Sequence, residues 1–102
     1  MGNWADHAIK ALNEGETCQI RPRGNSMKPK VKSGQLVTLE PIEDTATLEK
    51  GAIVLVKVKG RTYLHLVTAI QGDRFQIGNN RGGINGWVSS TAIYGRVTKI
   101  ED

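Results

Sequence analysis

Two residue types in the chain combine into nucleophilic chemistry: a serine in a glycine-bounded turn and a histidine in a strand-like run. Ser26 lies in "GNSMKPKVKSGQLV", residues 24–37, with Gly24 and Asn25 before it and Pro29 and Gly34 after. Small residues ahead of Ser26 permit close backbone approach, and Pro29 and Gly34 bend the segment before a strand beginning near Gln35. A serine hydroxyl attacks a carbonyl only when a base takes its proton, and the resulting oxyanion needs donors aimed at it. The sequence offers two histidines. His7 falls in a helical segment with no evident link to Ser26, whereas His65 falls in "RTYLHLVTAI", where a strand holds the ring in one orientation. A neutral imidazole near pH 7 accepts the serine proton. Each residue alone also has a plain structural use, Ser26 as a turn-capping hydroxyl and His65 as a packed strand histidine.

The elements that must position these residues follow from the spacing of apolar residues and turn formers. "NWADHAIKALNEG" predicts a short amphipathic helix over about 3–14, with Asn3 as N-cap, Asp6 at N3 and Gly15 as the stop. Trp4, Ala8, Ala11 and Leu12 share its apolar face. After Gly15 seven runs rich in Val, Ile and Thr ("TCQIRP", "QLVTLEP", "AIVLVKVKG", "RTYLHLVTAI", "RFQIG", "GWVSS", "AIYGRVTKI") predict a β core over about 16–100. The fold class is mainly β, coiled antiparallel sheets forming a barrel with one short N-terminal helix. "KVKGRTY" reads as a hairpin through Lys59, Gly60 and Arg61, and "AIQGDRF" as another through Gly72 and Asp73. Strand alternation puts Tyr63, Val67 and Ala69 on the face of His65, with Leu64, Leu66 and Ile70 on the other.

A chain of 102 residues has the length of one domain, and a 38% hydrophobic content without low-complexity tracts suits a globular one. The formal charge is +4. Arg21, Arg23, Lys28, Lys30 and Lys32 place five cations within 12 residues with no acid among them. Such a patch is a solvated face or attracts nucleic acid or an acidic partner. None of the five aromatics lies in that run, so a base-stacking platform is missing. A lone Cys18 excludes an internal disulfide and suits a reducing compartment, and the separation of His7 from His65 leaves no metal-ligand cluster. No metal or cofactor is expected. The longest apolar run, Ala52 to Val56, is far short of a membrane span, and the N-terminus lacks a leader pattern, so a cytoplasmic location is expected. "GNNRGGINGW" lacks the Gly-Lys-Ser/Thr ending and following helix of a phosphate loop, which excludes a nucleotide site there.

The order of "GNSMKPKVKSGQLV", "LEKGAIVLV", "YLHLV", "IGNNRGGINGWV" and "AIYGRV" resembles the catalytic core of signal peptidases and LexA-type self-cleaving repressors, over roughly residues 15 to 100. In that superfamily a Gly-x-Ser-Met-x-Pro segment carries the nucleophile, and a later Lys or His is the base. The resemblance implies coiled antiparallel β-sheets, Ser26 as nucleophile and His65 as general base, the latter as in archaeal and endoplasmic-reticulum signal peptidases. It further implies an oxyanion hole from main-chain donors of Ser26 and Gly24, and Met27 as a lining of the substrate cleft. Departures accompany it. The acids of the histidine-type enzymes are replaced by Gly78-Asn79-Asn80 and Asn85-Gly86, leaving Asn85 as a possible orienting amide for His65. Leu66 follows the base where arginine is common, and Ala52 stands where aspartate is common.

Three functions follow. The first is a soluble serine endopeptidase that cleaves a protein or peptide substrate in trans with a Ser/His dyad, since neither a membrane anchor, a helix-turn-helix domain nor an Ala-Gly self-cleavage pair is evident. The second is a catalytically inactive module of the same fold that binds a regulatory protein. The third, below both, is nucleic-acid binding through the basic patch. Substrate and oligomeric state are left open.

Overall fold

The computed structural model describes residues 5–24 and 27–102. Asn3, Trp4 and Ser26, named above for the helix cap, its apolar face and the nucleophile, lie outside the described residues. One helix precedes seven strands: α1 (Asp6–Asn13), β1 (Cys18–Ile20), β2 (Leu36–Pro41), β3 (Ile53–Val58), β4 (Arg61–Gln71), β5 (Arg74–Gly78), β6 (Ile84–Ser89) and β7 (Ile93–Glu101). The seven strands coincide with the seven β-rich runs.

The helix starts later than its expected span. Asp6 is its first residue rather than its third, because Ala5 takes the cap position with φ −105° and ψ −1° and offers no side-chain acceptor. Ala5 is fully buried, so a methyl group lets the helix start sit directly against the core. The stop is as expected. Gly15 has φ +80°, and Gly15 N–H donates to Leu12 O at 3.1 Å while Glu16 N–H donates to Ala11 O at 2.9 Å. Those paired bonds satisfy two end carbonyls in the left-handed glycine motif.

All strands join one antiparallel sheet in the order β1-β2-β7-β3-β4-β5-β6. The expected barrel is not closed: among the described residues β1 pairs only with β2 and β6 only with β5, so the two ends of the sheet do not pair with each other. Tight turns join its neighbouring strands. Between β3 and β4, Lys59 (φ 50°) and Gly60 (φ 84°) both take left-handed backbone, the two-residue turn whose twist matches paired strands. Between β4 and β5 Gly72 alone does so, which is the alternative primed turn. A register shift between Val67 and Ala69 reverses the later alternation: Ile70 pairs with Phe75, on the side of Val67, and Ala69 pairs with Gln76 on the other. The expected faces of Ala69 and Ile70 are therefore exchanged, because a bulge adds a residue that sequence alternation does not count.

Two cores result. One gathers Ala8, Leu12, Val37, Leu39, Leu55, Leu64, Leu66, Met27 and Val31 beneath α1. The other gathers Val54, Val56, Val67, Phe75, Ile77, Val88 and Ile93 on the opposite face. The central strands β3 and β4 feed both, which explains their nearly continuous apolar runs. Helix and sheet come close at Gly95 of β7, where an added Cβ would lie 2.8 Å from Glu40 O and 2.8 Å from a Leu12 methyl. Because the backbone carbonyl cannot yield, Gly95→Ala is expected to destabilise the protein by about 1–3 kcal/mol. Thermal unfolding is the check, with a fall in Tm of about 4–8 °C for each kcal/mol in a domain of this size.

Candidate functional site

The segment from Arg21 to Gln35 connects β1 to β2 as a closed loop. Its arms are clamped where Gly34 N–H donates to Pro22 O at 2.8 Å and Gly24 N–H donates to Ser33 Oγ at 3.2 Å. Arg21 adds a bond from Nη1 to Gly34 O at 2.9 Å. The middle of the loop turns tightly, with Val31 N–H donating to Met27 O at 3.0 Å. Met27 and Val31 are 4% and 3% exposed and pin the turn into the helix-side core. Gly24 has φ +113°, a backbone conformation that suits glycine.

On the other side of the site, β4 carries His65, 6% exposed. Two neighbours hold its ring. Tyr63, two residues earlier on the same strand face, stacks on it with centroids 4.7 Å apart and planes 22° from parallel. Asn85, near the start of β6, places Oδ1 2.7 Å from His65 Nδ1. An amide oxygen only accepts, so Nδ1 carries the hydrogen and Nε2 is the ring's accepting atom. Burial pushes the imidazole below the ordinary histidine value of 6.5, and the Asn85 bond partly offsets it. The neutral imidazole is thus favoured, with no carboxylate bonded to the ring among the described residues.

The hairpin that supplies Asn85 also reaches the loop. Asn79 Oδ1 accepts from Arg81 N–H at 2.8 Å and Gly83 N–H at 2.9 Å, tightening the β5–β6 connection. Asn80 Nδ2 donates to Lys28 O at 2.7 Å, which fastens the Met27 turn to the same connection. The asparagines standing where acids were expected therefore divide the work: Asn79 and Asn80 shape the hairpin and hold the loop, and Asn85 alone reaches the histidine. The bond from Asn80 was not foreseen from sequence, since nothing in an Asn-Asn pair specifies a carbonyl 52 residues earlier. The Tyr63 stack had a signal in the i, i+2 spacing on one strand.

A cavity of about 420 Å³ opens between loop and strand, lined by Gly24, Met27, Val31, Tyr63, Leu64 and His65 among others. Met27 and His65 thus both border this space, Met27 from the helix-side core and His65 from the strand face it shares with Tyr63. Of the five basic-run cations, all exposed, Arg21, Arg23 and Lys32 also line it, whereas Lys28 and Lys30 do not. Among the described residues no three of His, Cys, Asp and Glu are grouped to hold a metal, and no helix is long and apolar enough to cross a membrane. Cys18, half-buried in β1, donates weakly to Ala8 O at 3.9 Å and takes no part in the cavity.

A family model described as Peptidase S24-like matches residues 4–80. The chain belongs to the Peptidase S24-like family. Membership supports the likeness to the LexA and signal-peptidase superfamily. The S24-like match spans positions 26 and 65 and ends before Asn85, so the amide that meets His65 comes from the part of the chain beyond it. Comparison with curated proteins gives no match.

The state of His65 can be read directly by following its ring resonances against pH. Its midpoint is expected below 6.5, and Asn85→Ala is expected to move it lower still, because the bond to Asn85 raises it. A folded-state value below the unfolded one means the unfolded chain takes the proton first as pH falls. Stability is then expected to be unaffected by this group above pH 6.5 and to decline as pH drops below it. Denaturant midpoints measured between about pH 7.5 and 5.0 check the sign.

Proposed function

We propose that the protein is a serine endopeptidase in which Ser26 is the nucleophile, His65 the general base and Asn85 the residue that orients the base. One observation carries this reading: Gly24 and Met27, which flank the Asn25-Ser26 pair, line the same cavity as a neutral histidine whose Nδ1 is fixed by an amide. Family membership supports the peptidase fold. In the proposed reaction the Ser26 hydroxyl proton passes to His65 Nε2 as Oγ bonds to the substrate's carbonyl carbon. The tetrahedral intermediate then expels the amine, which takes the proton back from Nε2, and water hydrolyses the acyl-enzyme by the same route. Main-chain N–H groups of Ser26 and Gly24 are assigned to the oxyanion. For Gly24 that role requires exchange of its bond with the exposed Ser33 hydroxyl. Met27 forms part of the cleft wall.

A second reading has its own support: the amide at position 85 stabilises an imidazolium less than a carboxylate does, and Gly24 N–H is engaged by Ser33. In that reading the same cavity binds a protein partner without chemistry, and Ser26→Ala leaves function intact.

A fluorophosphonate probe separates the two. Labelling of the wild type is expected, with its loss in Ser26→Ala and a fall of about 10²–10⁴ in His65→Ala; no labelling between pH 6 and 9 would refute the peptidase reading. The rate is also expected to decline on an acid limb set by His65, below pH 6.5. Asn85→Asp is expected to move that limb upward, since a nearby carboxylate favours the charged imidazole. An unmoved limb in Asn85→Asp excludes Asn85 as the orienting residue.

A further inference from the structure

The cavity beside His65 combines a mainly apolar lining with three exposed cations that have no ion-pair partner among the described residues. Met27, Val31 and Leu64 supply apolar surface, while Arg21, Arg23 and Lys32 stand around it. Among the described residues the one ion pair is Lys99 with Glu101 at 3.3 Å, so no described carboxylate neutralises these three cations. Arg21 is bonded to a neutral carbonyl, which fixes its direction and leaves its charge. Asp102 accepts from Gln35 Nε2 at 2.9 Å and is not paired with any of them.

From this the geometry points to an acidic peptide as the ligand class: an extended segment that seats a small or medium apolar side chain in the cavity and carries Asp or Glu on the flanking residues. The inference deepens the peptidase reading above and rests on it for the cleavage of that segment. Charge complementarity selects the occupant. A low-dielectric concave wall focuses the field of cations at its rim and raises the local concentration of an anionic ligand. A polyanionic nucleic acid fits less well, because the ring that could stack on a base, Tyr63, is already stacked on His65, and phosphate binding does not call for the apolar walls.

The test uses the full chain and three fluorescein-labelled nonapeptides with the same Ala-Leu-Ala centre. One has Asp and Glu on both flanks, one Lys in their place, and one Gln and Ser. The acidic peptide is expected to bind about tenfold or more tighter than the Lys peptide at about 50 mM salt, with the gap closing near 0.5 M as screening shortens. Arg23→Glu/Lys32→Glu is expected to invert that order, and Arg23→Gln/Lys32→Gln to flatten it, each with a far-UV spectrum and Tm like the wild type. Equal binding of the three peptides, or an order unchanged in either variant, overturns the inference. So does displacement of the acidic peptide by a short DNA duplex at lower concentration than by unlabelled acidic peptide. Fluorophosphonate labelling of the same samples keeps the two claims apart. Acidic preference without labelling removes the peptidase reading and keeps the ligand class, while labelling without acidic preference does the reverse.

Discussion

An imidazole that is 6% exposed must have its ring nitrogens satisfied within the protein, and that requirement organises the candidate site. Leaving a buried polar atom unbonded costs about 1–3 kcal/mol, so the partner of His65 Nδ1 has to be carried there by the fold. The amide of Asn85 meets the need at 2.7 Å. To deliver it, β6 must lie beside β5 and fold back toward β4, and the β5–β6 connection must turn tightly, which Asn79 achieves by accepting two N–H bonds. Gly78 and Gly83 are part of the same requirement, because a Cβ on Gly78 would come within 2.6 Å of Gly83 O. The hairpin is thus built as closely as it is in order that one amide reaches one ring.

That construction ties the two sides of the cavity together. The same connection bonds Lys28 O through Asn80, so the turn that contains Met27 is referenced to the element that orients His65. The loop's own clamps at Pro22–Gly34 and Gly24–Ser33 limit the remaining freedom of its arms. A site assembled from distant segments is precise only if the segments share a support. Here the support is a pair of asparagines and a glycine-rich turn rather than a carboxylate network.

The sequence was most readable where local rules suffice. Seven β-rich runs, two hairpins with glycine at the required positions and the Gly15 helix stop are local signals, and the strands emerge accordingly. It was less readable where a rule needs the third dimension. The helix start shifted because a buried alanine replaced a polar cap, the faces of Ala69 and Ile70 exchanged at a bulge, and closure of the sheet depends on edges that never meet. Within the site, His65 and Met27 share a cavity that their order along the chain suggested only through the family resemblance. Asn85 was expected as the orienting amide from its place in the family resemblance, and strand pairing brings its Oδ1 to the ring. Ser26 stands outside the described residues.

The strand order carries a consequence for how the two sides of the site are joined. The loop that contains Met27 belongs to the β1–β2 unit, and His65 and Asn85 belong to the β3–β6 meander. In the sheet these two units are joined only through β7, which lies between β2 and β3. Without β7 the sheet would fall into two parts, β1–β2 and β3–β6, each with an unpaired inner edge. The final strand, which pairs with residues far upstream, forms the non-local contacts that fold slowest. Completion of the sheet through β7 and the bringing together of the two sides of the cavity are thus coupled.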